Sequence, residues 1–569
     1  MLSVIASIIS SALGLVLNKA RTTAADKLKD GDTTDEKLRD VINEDLNDIK
    51  AKIDALSRKD LLASYCFLKE GVVSLNLALD EVKDEQTSKD DTNGDQNGGS
   101  QTTVATTRNE SESGVLNETI ALSHAIQKLN DTSNTRLVSA KERFKAALEE
   151  ATRAFCNEAL SLPDRIMALK LRVVSKILEC LQDTKAAAAG CMLFLEELHD
   201  LPAIGETFST YFKGGIKSRL YKDSRLENVK SVLSLNFAIS EFIARFSGEI
   251  PKVRNWPRIH LSTRETIHPL LLDVDVVKEI FDKEEFQPPE NQITSCRKCF
   301  CNFCINSKGQ LLALSDYGTR VRVLNRSGET KKFCRIIPTT ANLKPDENGT
   351  MALVIDRDDK VFVIKTFKDR TSGKYVFVLL VFDSNGNRQY ERVLHFLERD
   401  TAKRINCVID NDGGIIIHLS DAFDLYVCDN NGNLKSTLSL EKYSSGDTRH
   451  FFRCASVTNQ NEIVMRKGEK VFVYTKEGKL KRTIIVKKGI GAVTVNYATS
   501  NLEIMEHDES SFGTRRSFCI RSYSENDEVE CLYLPTNEEY WSKHYCSHPT
   551  GPAALVYSNK MYERKIIFL

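Results

Sequence analysis

Between Leu38 and Leu56 the apolar positions fall at helical intervals. Leu38, Ile42, Leu46, Ile49, Ile53 and Leu56 are spaced by four, four, three, four and three, a narrow stripe of the coiled-coil kind. Thr33-Thr34-Asp35-Glu36 precedes it as a capping box, in which Thr33 and Glu36 reciprocally satisfy the first free amides. A second apolar helix is expected from Asp60 to about Lys83. Helical spacing returns at Leu137, Ala140, Phe144, Ala147, Ala151, Phe155 and Ala159. Pro163 then opens another helix, at a first turn where a missing N–H costs nothing. That helix carries Ile166, Leu169, Val173, Ile177 and Leu181, and apolar segments at Ala186–Leu198 and Val229–Phe246 complete the set. Residues 33–248 therefore read as a multi-helix bundle. One stretch inside it departs: Glu85 to Gly114 is mostly Asp, Asn, Gly, Gln, Ser and Thr. Too little apolar surface is available there to offset ordering entropy, so 85–114 is expected to be a disordered loop.

Residues 249–290, spotted with Pro251, Pro257, Pro269, Pro288 and Pro289, read as a linker. After Cys301 the hydrophobic period changes from helical to alternating, and a unit recurs. It consists of a strand, a polar turn, a second strand, a variable loop, a Val-x-Val strand and a turn ending in Gly. Three of these closing turns place Gly386, Gly432 and Gly478 at intervals of 46 residues. A period in the forties with four short strands per unit predicts propeller blades, each burying its apolar faces against its neighbours. The fifth unit, around Asn501 and Glu525-Asn-Asp527, is degenerate, and the sixth stops at its third strand. Ile293–Phe300 is a strand without a blade of its own. If it supplies the missing outer strand, residues 291–569 close as a six-bladed ring with no open edge. The fold class expected is a multidomain α plus all-β chain, a helical bundle followed by a six-bladed β-propeller.

The blade pattern, with Gly closing the first turn and Val-x-Val-Phe/Leu-Asp-x-x-Gly at the outer hairpin, resembles the NHL-repeat propeller found at the C-terminal end of many tripartite-motif proteins. That resemblance implies a binding ring, and in some members an RNA-binding one. No RING or B-box pattern of spaced Cys and His pairs accompanies it, so ubiquitin-ligase activity is not implied. The helical half, at Arg58–Ser64 and Leu195–Pro202, resembles uncharacterised invertebrate proteins of the same layout, which brings no function with it.

Composition adds little to this picture, and charge somewhat more. The chain has 79 basic and 79 acidic residues, yet residues 291–569 carry a net +8 and the remainder the opposite. An anionic partner for the second half is thereby permitted. Fifteen cysteines, mostly single within apolar segments such as Tyr65-Cys66-Phe67, fit reduced thiols and a cytoplasmic location. Residues 1–20 form an amphipathic helix with Leu2, Ile5, Ile9, Leu13 and Val16 on one side. It fits a cap on its own bundle, a membrane-seeking helix or a cleaved signal.

Cys296, Cys299, Cys301 and Cys304 gather four thiols in nine residues. Zinc sites of paired cysteines usually separate the pairs by about a dozen residues, whereas here one residue intervenes. In a single extended strand Cys299 and Cys301 would share a face while Cys296 and Cys304 point to the other. They are read as structural strand cysteines, with a metal or redox site as the alternative. The chain contains no Gly-x-x-x-x-Gly-Lys phosphate loop, Gly-x-Ser-x-Gly elbow or His-Glu-x-x-His helix. The expected function is non-catalytic, without cofactor: an interaction or scaffold protein with a protein partner on the propeller and docking or homo-oligomerisation through the helical half. Two alternatives stand beside it. One is RNA binding by the propeller, suggested by Lys331-Lys332, Lys481-Arg482 and Lys487-Lys488. The other is membrane action through residues 1–20.

Overall fold

In a computed structural model the described residues are Lys50, 59–90, 135–181, 183–214, 222–244, 255–272, 274–281, 293–296 and most of 301–569 outside several loops. The N-terminal helix 1–20, the Thr33–Glu36 box, the Leu38–Leu56 stripe and residues 91–114 lie outside them. The chain divides into two compact units, one formed by 1–261 with 277–288 and the other by 262–276 with 289–569.

The first unit is helical. Its long helices are α1 (Lys59–Asp90), α2 (Thr135–Cys156), α3 (Leu162–Glu179), α4 (Thr184–His199), α5 (Pro202–Lys213) and α6 (Lys222–Phe242). α1 and α2 pack closely because Gly71 leaves room for Phe144, whose ring would lie 2.6 Å from an added Cβ. Ser64 Oγ on α1 donates to the Ala147 carbonyl on α2. Ser161 and Asp164 form a capping box ahead of α3, with Pro163 in its first turn. Arg172 on α3 is buried with its guanidinium 4.1 Å from the Phe194 ring and 4.9 Å from the Phe155 ring. Its charge is met by Glu197 at 2.5 Å. The helix expected to end near Lys83 runs on to Asp90. The polarity of 85–90 suggested a loop, but Glu85, Gln86 and Lys89 are good helix formers and extend a helix already nucleated.

The second unit is a six-bladed propeller of antiparallel blades. Blade 1 is Cys301–Ile305, Leu311–Ser315, Arg320–Leu324 and Thr330–Arg335, from axis to rim. Blade 2 has Met351–Ile355, Val361–Asp369, Tyr375–Phe382 and Arg388–Val393, and Leu343–Pro345 adds a fifth strand beside the end of the second. Blades 3 and 4 are regular: Ile405–Ile409 to Leu434–Ser439, and Arg453–Val457 to Leu480–Ile485. Blade 6 consists of Tyr540–Ser547, Ala553–Asn559 and Arg564–Phe568. Its fourth strand is Ile293–Cys296, which pairs antiparallel with Arg564–Ile567. The core lies between blades, as in the cluster of Leu379, Val381 and Ile364 with Ile415, Ile417 and Cys428 across blades 2 and 3.

The recurrent glycines have a packing reason. Gly386, Gly432 and Gly478 all have φ near +80°, and each turn lies against the preceding blade. An added Cβ would meet Phe333 O at 2.5 Å, Leu379 Cδ2 at 2.7 Å or Leu438 Cγ at 3.1 Å, respectively.

Blade 5 is fully formed, contrary to its degenerate pattern, with strands Ile490–Asn496, Asn501–Asp508, Arg516–Tyr523 and Glu528–Thr536. Polar residues inside those strands hide the alternation, yet they are matched. Arg521 bonds Glu506 at 3.0 Å and Glu528 at 2.6 Å, with Glu506 buried. The residues expected to be a bare linker also hold structure. Glu265–Ile267 pairs parallel with Glu528–Thr536 as a further strand of blade 5. Tyr533 donates to Glu265 at 3.0 Å and Thr266 to Glu530 at 3.1 Å. Prolines mark chain direction changes but do not exclude short edge strands.

Candidate functional site: the cavity at the propeller axis

The innermost strands of the six blades adjoin one another around the axis. Each ends in a polar turn leading to its second strand. The first residue of every such turn accepts backbone N–H groups through its side chain: Asn306, Asp356, Asp410, Thr458, Asn496 and His548. Each turn also contains one left-handed residue, at Gly309, Asp359, Gly413, Asn461, Ser500 and Gly551. Short polar side chains suit the first role because they mimic a backbone turn.

Neighbouring turns are bonded to one another. Ser307 N–H and Oγ both donate to Asp359. Asn411 N–H donates to Asn461 Oδ1 at 2.9 Å, and Asn461 returns a bond to Asp412 at 3.2 Å. Asn459 reaches the Tyr497 carbonyl at 2.9 Å. His548 of blade 6 spans past blade 1, donating from Nε2 to the Asp356 carbonyl of blade 2 at 3.0 Å. Its Nδ1 accepts the Thr550 N–H at 3.2 Å. With both ring nitrogens so used the imidazole is held neutral. Burial lowers its pKa below the usual histidine value, against the pull of Asp359 at 3.3 Å.

These strands and turns enclose a cavity of about 690 Å³. All six blades line it, among them Asn302, Val354, Asn406, Ser456, Thr494 and His544. It continues between blades 2 and 3, where Tyr390 donates to the Asn430 carbonyl. Burial, with Asp429 nearby, pushes the Tyr390 hydroxyl up to about 12. Burial likewise raises Asp356, against the N–H bonds from Lys360 and Asp358. Cys304 is raised well above the ordinary thiol value by burial and stays a thiol. A volume of this order lies within the range of ligand-binding clefts.

Much of the polar lining is already engaged between blades. Asn302 donates to the Met351 carbonyl at 2.6 Å, and the Thr494 and Ser547 hydroxyls bond at 2.7 Å. Thr550, His548 and Asp359 make a hydroxyl–imidazole–carboxylate series, Thr550 Oγ1 lying 2.7 Å from Nδ1. That imidazole is fully buried and its nitrogens serve the turn and Asp356, so the series works as a clamp between blades.

The cysteine cluster is divided by the fold. Cys296 lies on the outermost strand of blade 6, whereas Cys301 and Cys304 lie on the innermost strand of blade 1. Cys299 lies outside the described residues. The single extended strand assumed from the sequence is therefore replaced by two strands in different sheets, and a bulge separates Cys301 from Phe303. Among the described residues, no group of three or more His, Cys, Asp or Glu side chains is arranged to hold a metal ion.

The two described basic pairs lie on outer strands, and one member of each meets an acid. Lys331 meets Glu329 at 3.3 Å, and Lys481 meets Glu462 at 2.5 Å and Glu525 at 3.3 Å. Lys487-Lys488 lies outside the described residues. Sequence reasoning named the inner turns without seeing that they converge. The usable signal was the Asn, Asp or Thr recurring at the end of the innermost strand in five of the six blades, with His548 in the sixth.

No family profile matches the chain, and neither does any curated protein. Solved structures resemble 49% of it. An inactive virginiamycin B lyase from Staphylococcus aureus with quinupristin is 8% identical, with 99% of that chain covered and a TM-score of 0.30. A glucose dehydrogenase is 10% identical over 98% of its chain, with a TM-score of 0.33. BBS1N in complex with ARL6DN is 13% identical over 79% of its chain, with a TM-score of 0.28. Likeness at this level carries no argument about activity. Among the described residues no helix is long and apolar enough to cross a membrane.

Proposed function

We propose that the chain is a non-catalytic interaction protein whose propeller receives a segment of a protein partner in the axial cavity. The helical half serves docking or self-association, and the propeller is of the NHL type. The observation that carries this reading is the cavity itself, about 690 Å³ and lined from all six blades. Apolar Val354 and Phe303 line it together with polar Asn406 and Asn302, the mixture that orients a bound segment while burying it. The RNA alternative draws less support from Lys331 and Lys481, each of which meets a neighbouring acid.

Affinity purification of the intact protein, with nuclease-treated controls, tests the proposal against Asn406→Trp, which fills part of the cavity. The expected result is a protein partner retained by wild type, insensitive to nuclease and lost from the variant at unchanged melting temperature. The same partner on both proteins, or capture that nuclease abolishes, would sink the reading.

A further inference from the structure

Blade 2 is longer than blade 3 at the end remote from the inner turns. Its second and third strands stay paired from Val361↔Phe382 out to Lys368↔Tyr375. The matching pair in blade 3 runs only from Ile415↔Cys428 to His418↔Leu425. The additional pairs carry this hairpin about 13 Å further. Its base is buried at Thr366, Phe367, Val376 and Phe377. Its tip is exposed at Lys368, Arg370, Thr371, Ser372, Gly373 and Lys374.

The added strand Leu343–Pro345 sets exposed Lys344 directly opposite Lys368. Like charges directly opposite on paired strands repel and destabilise the pair. Relief within the fold is partial. Lys374 meets Glu398 at 3.4 Å, and the Lys368 ammonium stands 5.9 Å from the centre of the Tyr375 ring. Asp369, the nearest acid in sequence, is engaged in its own turn, accepting the Thr371 N–H at 2.7 Å. Among the described residues the Lys344 and Arg370 side chains meet no carboxylate. Two opposed lysines and an uncompensated arginine at a projecting tip are what an anionic ligand would stabilise.

We propose that this tip, through Lys344, Lys368 and Arg370, docks an acidic polypeptide segment of a partner. The site is separate from the axial cavity and does not depend on it. An extended carboxylate-bearing chain fits the observations better than the other anions. Single-stranded nucleic acid is held by aromatic platforms, and the aromatic ring beside this tip, Tyr375, is overlain by Lys368. A membrane-binding loop presents large apolar side chains, and this one presents Thr371, Ser372 and Gly373.

The test is fluorescence anisotropy of a labelled oligoglutamate of about ten residues with the full-length protein, at low and high salt. Oligouridine and phosphatidylserine vesicles form parallel arms. Lys344→Ser, Lys368→Ser and Arg370→Ser are combined in one variant, and Lys331→Ser, Lys332→Ser and Lys435→Ser, all on exposed outer-strand positions, are combined in a charge-matched control. We expect oligoglutamate binding that weakens with salt and falls at least about tenfold in the triple variant, with the control unchanged. The triple variant should melt no lower than wild type, since it removes a like-charge pair. The proposal is overturned by absence of oligoglutamate binding, by equal loss in the control, or by retention in the triple variant. Oligouridine or vesicle binding through these residues, in place of oligoglutamate, overturns it too.

Discussion

Alanine at Gly386 would add one methyl group where the outer turn of blade 2 rests on blade 1. Two costs arise there and can be separated. The first is conformational: at φ +86° an L-residue sits in the left-handed region, which costs about 1–2 kcal/mol. The second is steric, because the new Cβ would lie 2.5 Å from the Phe333 carbonyl oxygen and 3.1 Å from its carbon. Those atoms are backbone of the outermost strand of blade 1, at its bulge, and cannot swing aside as the end of a side chain would, so overpacking adds about 1–3 kcal/mol. Gly413 isolates the first cost, since it has φ +79° with nothing within 4 Å of a new Cβ. Both variants gain alike, by about 0.4–1 kcal/mol, from a stiffer unfolded chain. The expected net loss is therefore about 1 kcal/mol for Gly413→Ala and about 2–4 kcal/mol for Gly386→Ala. Gly432→Ala should fall between, because its obstacle at 2.7 Å is the end of the Leu379 side chain. Scanning calorimetry on the full-length protein reads these as shifts of about 2–4 °C per kcal/mol in the propeller transition. Equal shifts for Gly386→Ala and Gly413→Ala would refute the claim that these turns are glycine because blades touch there.

Deleting residues 291–296 removes the strand paired with Arg564–Ile567. At about 1 kcal/mol per lost ladder bond this should cost about 2–4 kcal/mol and speed amide exchange in 564–568; an unchanged melting temperature counts against closure by this strand. For His548, whose folded pKa is depressed, the unfolded chain takes up its proton first as pH falls below about 6.5. Stability should thus decline from there down through the folded pKa and then level off. His548→Asn, which keeps an acceptor for the turn, should flatten that part of the melting profile, and an identical profile would exclude His548 as the cause. Elemental analysis of the purified protein should find less than one zinc per chain, since Cys296 and Cys301 lie on different blades. One tightly held zinc lost on Cys299→Ser would reverse this.

Much of the architecture was written locally. Helical spacing at Leu137–Phe155 and Ile166–Ile177, and the 46-residue glycine interval, depend on neighbours a few positions away or on exact repetition. Such signals survive without knowledge of the fold, so the helical half and the blade count were legible. Blade 5 was faint because Glu506 and Arg521 occupy strand interiors, where they are matched to each other and, for Arg521, to Glu528. Ring closure decided what local pattern could not. It put the nine-residue cysteine run partly at the rim of one blade and partly at the axis of another. The outer edge of blade 5 gave Glu265–Ile267 a strand to lie beside more than 260 positions away. Ring closure gathered His548 and Asp356, 192 residues apart, over one cavity. A turn's conformation is set by its own residues, but which turns face each other follows from stacking all six blades about an axis, and no window of sequence contains that.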